Sequence, residues 1–238
     1  MTRFGEVGDL RRATLTLGNL GVVAINIGDY ELATARLQEH LANARRLGDR
    51  KLIAGSLTNL GMAVHRLGDL DRAEARHREA LELTEQIGDR RISAVVLTNL
   101  GLVAFARKDF AAAAAFHRRS LALAEAVGEP RSIAESLEEL AEAESARGNM
   151  RRAAGLIGAA QAIREEIGAP VPGPDLVRYN QALAAAELAL GPAPFAAAAA
   201  AGRALPMAGA VRFAMDDAPT PMPHESEPVP ARSDQGTQ

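Results

Sequence analysis

Apolar residues recur along much of the chain at the spacing of an amphipathic helix. Leu57, Leu60 and Val64 lie three and four positions apart, and a second series begins with Leu70 and Ala73 after a short break. Because an α-helix has about 3.6 residues per turn, each series places its apolar side chains on one face. The pattern therefore predicts an all-α fold in which consecutive helices pack against each other.

A glycine followed by an acidic residue marks the expected end of most helices. Such pairs recur at multiples of twenty residues, as Gly8-Asp9, Gly28-Asp29, Gly48-Asp49, Gly68-Asp69, Gly88-Asp89 and Gly128-Glu129. Glycine accepts the left-handed conformation that ends a helix, and the acidic side chain caps the next helix. Lys108 replaces the glycine in one turn. A left-handed conformation at this lysine would cost on the order of 1 kcal/mol.

The chain also repeats itself every forty residues. Asn-Leu-Gly occupies 19–21, 59–61 and 99–101, and the next unit has Glu139-Leu140-Ala141 in the same register. Self-similarity at this period predicts a solenoid in which each unit contributes two antiparallel helices. Small residues on both helices of a unit are expected to let them approach closely, namely Gly21 with Ala33, Gly61 with Ala73 and Gly101 with Ala113.

The unit resembles the tetratricopeptide repeat (TPR), in the long-period variant found in bacterial signalling proteins and kinesin light chains. The family signature has Leu-Gly on the first helix, Gly at the turn and Ala on the second helix, and it is matched here by Leu60-Gly61, Gly68, Ala73 and Ala80. The resemblance covers residues 9–168. It implies a right-handed solenoid of antiparallel helix pairs, with about four repeats and C-terminal capping helices.

His77 and His117 stand where the family has a large apolar residue on the second helix. Their forty-residue spacing would also suit a ligand ladder or a pH switch. We interpret them instead as partly buried packing residues, each with one hydrogen-bonded nitrogen.

The first and last residues depart from the repeat. Residues 1–8 match the close of a second helix, so the array over 1–168 is expected to begin inside a repeat. The helix that starts near Asp9 would then expose an apolar face, which upstream repeats or another copy of the chain would cover. Residues 216–238 are rich in proline and polar residues and are expected to be disordered.

Residues 169–215 are expected to close the array, with helices near 175–190 and 193–203. Gly155-Leu156-Ile157-Gly158-Ala159-Ala160 and Gly202-Arg203-Ala204-Leu205 resemble the terminal segment of large bacterial regulators. These are the signal-transduction (STAND) ATPases and the LuxR-like and SARP-like transcriptional activators, in which an ATPase core precedes helical repeats. The resemblance implies that this chain is the sensor or scaffold part of such a regulator.

Composition and charge exclude several classes of function. The 238 residues carry a formal net charge of -3 and contain no cysteine, which excludes disulfides, thiolate metal sites and a general polyanion-binding surface. No apolar run reaches membrane-spanning length and the start lacks a secretory signal. We therefore expect a cytoplasmic protein that contacts neither membrane nor nucleic acid directly. No phosphate-binding loop, nucleophile motif or metal-site histidine spacing occurs, so we expect no enzymatic activity, cofactor or metal.

The predicted site is the concave groove that the first helices line in TPR arrays. The residue before the signature Leu-Gly faces this groove, and here it is Asn19, Asn59 and Asn99. An asparagine amide can pair with the backbone of any extended peptide, as asparagines do in peptide-binding family members. Alternatively, each asparagine bonds only to the adjacent helix or turn.

The neighbours of these asparagines set the expected specificity. By helical spacing they include Met62, His65, Arg66 and Leu102. In the fourth repeat the corresponding helix carries acidic residues, among them Glu135, Glu138, Glu139 and Glu142. They form either a solvated face or an acidic end that favours a partner with basic residues.

The leading prediction is thus a protein–protein interaction module that binds a peptide or partner protein in its groove. Two alternatives remain open. One is a domain that senses a small-molecule inducer, and the other is a structural module that associates with itself.

Overall fold

The computed structural model describes residues 3–171 and 173–216, and within these residues the chain forms eleven α-helices and no strand. This confirms the predicted all-α class. The helices are α1 (Arg3–Ile27), α2 (Tyr30–Leu47), α3 (Arg50–Arg66), α4 (Leu70–Ile87), α5 (Arg90–Ala106), α6 (Phe110–Val127), α7 (Pro130–Ala146), α8 (Met150–Glu166), α9 (Gly173–Leu190), α10 (Pro192–Arg203) and α11 (Met207–Met215).

Helices α1 to α8 form four antiparallel pairs that stack in chain order. Each of the helices α2 to α7 packs mainly against the helix before it and the helix after it, as in a solenoid. The core is made of leucines, isoleucines and alanines at the predicted helical spacing, among them Leu57, Leu60, Leu97 and Leu137. None of the helices in the described part of the chain is both long and apolar enough to cross a membrane.

Most turns close through the glycine and aspartate pairs. Helix α2 ends at Gly48, whose φ of 65° lies in the left-handed region and whose N–H donates to the carbonyl oxygen of Arg45. Asp49 then caps α3, because its carboxylate accepts from the backbone N–H of Lys51 and of Leu52, both at 3.1 Å. Local hydrogen bonds therefore set the twenty-residue spacing of the helix ends.

Lys108 adopts the left-handed conformation expected of the glycine that it replaces, with a φ of 64°. We expect Lys108→Gly to raise the free energy of unfolding by about 1 kcal/mol, because glycine has no Cβ to strain this conformation. Urea denaturation followed by circular dichroism measures the change. Gly68 occupies the equivalent turn with a φ of 84°, so Gly68→Lys should lower stability by a similar amount. Equal stability of Lys108→Gly and the wild type would show that the left-handed conformation of Lys108 is not strained.

The predicted helix break at Gly8-Asp9 is wrong. Helix α1 continues from Arg3 to Ile27, and Gly8 is not among the residues with positive φ. Asp9 accepts a hydrogen bond from Arg12 at 2.6 Å, within the helix. A glycine inside a helix costs only about 1 kcal/mol. A turn here would need a packed partner helix to compensate, and none lies before α1 in the described residues.

The glycines of the Leu-Gly signature pack most closely against a large residue of the second helix and not against the alanines expected from the sequence. A Cβ on Gly61 would lie 2.5 Å from Cε1 of His77, and one on Gly21 would lie 2.6 Å from Cγ of Leu37. In each unit the glycine therefore makes room for the large residue sixteen positions later. The alanines at 33, 73 and 113 are fully buried elsewhere in the interface.

Three helices close the C-terminal end of the array. Helices α9 and α10 lie close to the two segments expected to be helical, and α10 packs tightly across α8. The sequence analysis did not predict α11. The segment expected to be disordered lies outside the described residues, apart from Asp216.

Helix α11 is held by arginines from two second helices. Nη2 of Arg152 donates to the carbonyl oxygens of Phe213 and Ala214 at 3.0 and 2.9 Å, and Nε of Arg118 donates to that of Ala214 at 3.2 Å. These cations lie at the negative end of the α11 dipole. Glu144 is fully buried and accepts from Arg118 at 2.5 Å, so the positive charge is compensated beneath α11.

Candidate peptide-binding groove

The first helices α3 and α5 present a mixed surface, which we call the groove face. It consists of Asn59, Met62, His65 and Arg66 of α3 with Asn99, Leu102 and Phe105 of α5. Arg66 is exposed, Asn99 is buried, and the other five residues are half-buried. The helical spacing of three and four residues puts each set on one side of its helix.

The three asparagines become less accessible along the array. Asn19 is exposed, Asn59 is half-buried, and Asn99 is only 8% exposed. Nδ2 of Asn99 is buried without a hydrogen-bond partner. No side-chain hydrogen bond from any of the three is found among the residues that the structure describes, so they do not bond to the adjacent helix or turn there.

Two of the glutamates expected to form the acidic end of the groove are bound by arginines of the same chain. Glu138 accepts from Nε and Nη2 of Arg164 at 2.5 and 2.8 Å and is 7% exposed. Glu142 is buried and accepts from Arg178 of α9 at 3.4 Å. The interpretation of these glutamates as a solvated face is therefore wrong for both residues, because α9 packs over α7.

Glu139 takes the register position of the three asparagines and lies against the second helix of the preceding pair. Its Oε2 is 3.2 Å from Nδ1 of His117, which is 1% exposed. The same separation along the sequence relates Asn99 to His77, which is also buried.

The buried histidines do not form a ligand ladder. His77 is fully buried, and neither of its ring nitrogens has a hydrogen-bond partner. Burial lowers the pKa of His77 to about 4. The expectation of one bonded nitrogen is wrong for this residue, although it describes His40, whose Nδ1 lies 2.8 Å from Oγ of Ser56. In the described part of the chain no three acidic or histidine side chains are placed to hold a metal.

Helix α9 borders the groove face. Arg178 reaches Glu142 of α7, and it is close enough to His65 of α3 to affect its titration. Burial lowers the pKa of His65, and the positive charges of Arg66 and Arg178 lower it further. His65 is therefore mainly neutral at pH 7.

Two cavities adjoin this region. The first, of about 250 Å³, lies between α5, α7 and α9, and its lining includes Phe105, Ala146 and Ala182. The second, of about 290 Å³, lies between α5, α6 and α7, and we call it the polar cavity. Its polar lining consists of hydroxyl groups and charged side chains, namely Thr98, Ser120, Ser132, Ser136, Arg91, Arg131, Glu129 and Glu135, and its apolar lining consists of Ala94, Val95, Ala124 and Val127.

The sequence pattern places the candidate groove residues on α3 and α5, but it does not predict the role of α9. Among the side chains of α9 that the structure describes, Arg178 and Tyr179 reach other helices with polar groups, Tyr179 through a 2.7 Å hydrogen bond from Gln161. The available signal was an arginine and a tyrosine side by side in an otherwise alanine-rich segment. Such a pair predicts a polar contact, although it does not identify the partners.

Comparison with known proteins supports the architecture. A crystal structure of BtubC (BKLC) from P. vanneervenii aligns with a TM-score of 0.59 and 24% identity, over 68% of this chain and 66% of that chain. A putative kinesin light chain from Podospora anserina with nearly identical TPR-like repeats aligns with a TM-score of 0.59 and 18% identity, over 84% and 93%. At these identities the similarity shows the fold alone. No curated protein sequence matches the chain.

The repeat itself is assigned by the family profile. The tetratricopeptide repeat profile matches residues 11–86 and 92–166, which is more than half of the chain. These ranges cover α1 to α8 apart from the start of α1, the last residue of α4 and the first two residues of α5. The matched residues are those whose forty-residue register produces the stacked helix pairs. The chain therefore belongs to the tetratricopeptide repeat family.

Proposed function

We propose that this protein binds an extended peptide of a partner protein on the groove face. TPR arrays generally mediate protein–protein interaction, and the groove face of this array offers both polar and apolar side chains. The observation that carries the proposal is that the side-chain amide of Asn59 is half-buried and makes no hydrogen bond with the described residues. An amide in this state has its donors and acceptor free for a ligand backbone.

The chemistry of the groove face suits a peptide with both apolar and polar contacts. Met62, Leu102 and Phe105 are half-buried and can lose further apolar surface to a partner. Such burial contributes about 25 cal/mol per Å², whereas each hydrogen bond from an asparagine contributes about 0.5–1.5 kcal/mol. Apolar contacts thus supply most of the affinity, and the asparagine fixes the register of the peptide.

We further propose that the array is the sensor or scaffold part of a bacterial transcriptional regulator or signalling ATPase. The support is the resemblance of 155–160 and 202–205 to the end of those regulators. In this protein the two segments contact each other, because the backbones of Gly155 and Gly202 meet where α8 crosses α10.

Replacing Asn59 by alanine tests the proposed groove. Peptides selected by phage display against the full chain provide the ligands, and fluorescence anisotropy measures their dissociation constants. We expect Asn59→Ala to weaken them about three- to tenfold, which is the loss of one net hydrogen bond, with little change in melting temperature.

Asn99→Ala is the matched control for this measurement. Because Nδ2 of Asn99 is buried, the substitution should change stability more than affinity. Selected peptides that bind Asn59→Ala and wild type equally well, and that also tolerate Leu102→Glu, would place the binding site elsewhere.

One observation favours self-association as a second candidate. On α1, Leu20 and Val23 are 49% and 54% exposed, whereas the equivalent Leu60 and Ala63 of α3 are buried against the preceding helix pair. The stacking surface of α1 is therefore available to another helix pair, from this protein or from a second copy.

A further inference from the structure

Of the five glutamates on α7, Glu135 is the one with neither a hydrogen bond nor a basic side chain within ion-pair distance in the described part of the chain. Glu138 is bound by Arg164, Glu142 contacts Arg178, and Glu144 accepts from Arg118. Oε2 of Glu139 lies 3.2 Å from Nδ1 of His117 without forming a hydrogen bond. Glu135 is half-buried, makes no hydrogen bond or ion pair there, and lines the polar cavity.

The polar cavity is floored by hydroxyl oxygens that are already held in place. Oγ of Ser120 is 2% exposed and donates to the carbonyl oxygen of Ala94 at 3.0 Å. It also lies 3.0 Å from Oγ1 of Thr98 and accepts from Oγ of Ser136 at 3.3 Å. Because Ser120 donates its hydrogen to Ala94, the hydroxyls of Thr98 and Ser136 both donate to Ser120. The oxygens of Thr98 and Ser136 therefore keep lone pairs and, together with the Glu135 carboxylate, offer acceptors to the cavity.

No cation lies within ion-pair distance of the Glu135 carboxylate in the described part of the chain, although Arg131 and Arg91 also line the cavity and Arg91 is paired with Glu129 at 3.3 Å. Burial raises the pKa of Glu135, and the neighbouring carboxylates Glu139 and Glu138 raise it further. Arg164 and Arg131 act in the opposite direction, but Arg164 is held by Glu138 and Arg131 is exposed to solvent. A positive charge placed in the cavity would therefore stabilise the Glu135 carboxylate and satisfy its free oxygens.

The position and size of the cavity indicate what kind of ligand carries this charge. Thr98, which lines the cavity, lies one turn before Leu102 of the groove face on the same side of α5, so the polar cavity adjoins the groove face. Its volume of about 290 Å³ is at the lower limit for small-molecule sites, and a single side chain fits it better than a whole metabolite.

We propose that the polar cavity binds the guanidinium group of an arginine side chain of the partner peptide, with the Glu135 carboxylate accepting its N–H groups and the hydroxyls of Thr98 and Ser136 accepting the remainder. This inference rests on the proposed peptide-binding function and names the side chain that gives it specificity. Arginine suits the cavity better than lysine, because its planar fork carries five donors whereas the lysine ammonium carries three.

A titration of the full-length chain with N-acetyl-argininamide tests the proposal without a known partner. Amide chemical shifts of Ser132 and Ser136 report on the cavity, and N-acetyl-citrullinamide is the matched control, since it has nearly the same shape without the charge. We expect the arginine derivative to shift these amides and to bind at least about tenfold more tightly than the citrulline derivative. Glu135→Gln should abolish this difference, whereas Arg131→Gln should preserve or increase it.

Other outcomes would overturn the proposal. Equal shifts by the two derivatives, or the same arginine preference in Glu135→Gln, would show that Glu135 does not select a cation. Loss of binding in Arg131→Gln, with competition by inorganic sulfate, would show an anion site instead. The thermal melt of Glu135→Gln checks its folding. The result is independent of Asn59, so a failure here leaves the groove proposal standing, and the reverse also holds.

Discussion

Replacing Gly158 by alanine is expected to undock α10 and to lower the free energy of unfolding by about 3 kcal/mol, the upper part of the range for overpacked interiors. A Cβ on Gly158 would overlap the carbonyl oxygen of Ala199 in α10. On the opposite side of the same crossing, a Cβ on Gly202 would overlap the carbonyl oxygen of Gly155. Because these are backbone atoms, no side-chain rotation can relieve the overlap, and the two helices must separate.

Chemical denaturation and amide hydrogen exchange measure this effect. In Gly158→Ala the amides of α10 should lose protection, while those of α3 and α4 keep theirs. Gly55→Ala is the matched control, because Gly55 lies within α3 and a Cβ there would have no atom within 4 Å. That substitution should stabilise the protein by up to about 1 kcal/mol through helix propensity. An unchanged stability of Gly158→Ala would mean that α10 does not pack on α8 in solution.

The second large effect is an acid-dependent loss of stability caused by His77. Its ring is fully buried between α3 and α4, with no hydrogen-bond partner for either nitrogen, and burial lowers its pKa from 6.5 to about 4. Protonation therefore favours the unfolded chain. The stabilising effect of the neutral ring is complete above pH 6.5, declines as the pH falls below 6.5, and is lost at about pH 4. The difference between the two pKa values corresponds to about 3 kcal/mol.

His77→Leu separates this contribution from that of other groups. Leu37 occupies the equivalent position in the first repeat and packs against Gly21 in the same way. Leucine should therefore fit beside Gly61, and it removes two unsatisfied nitrogens, so stability at pH 7 should rise by about 1–3 kcal/mol. Unfolding free energies measured from pH 7.5 to 4 should decline less steeply in His77→Leu. Parallel curves for the two proteins would exclude His77 as the titrating group.

The sequence predicts the parts of this structure that repeat. Gly48 and Asp49 determine a turn through bonds to residues only a few positions away, and the forty-residue register places every such turn in α1 to α8. The same register located Asn59 and Asn99 on the first helices. Local geometry and periodicity are therefore sufficient to predict the architecture and to place these asparagines on the first helices.

The parts that escaped prediction depend on contacts that occur once. The pairing of Glu142 with Arg178 needs α9 to fold back over α7, and the anchoring of α11 needs Arg152 to reach Phe213. No spacing rule connects these residues. The distinct role of Glu135 is of the same kind, since it follows only from the partners that the other glutamates of α7 acquire.

The placement of each signature glycine opposite a large residue of its own repeat has an evolutionary consequence. Gly61 and His77 are separated by sixteen residues, as are Gly21 and Leu37, so each matching pair lies within one forty-residue segment of the gene. Duplication, deletion or exchange of such a segment therefore keeps the glycine together with the large residue that packs against it. The fourth segment differs, because Gly158 packs against the backbone of α10, which lies outside that segment. A copy of the fourth segment would therefore fit only if the terminal helices were copied with it.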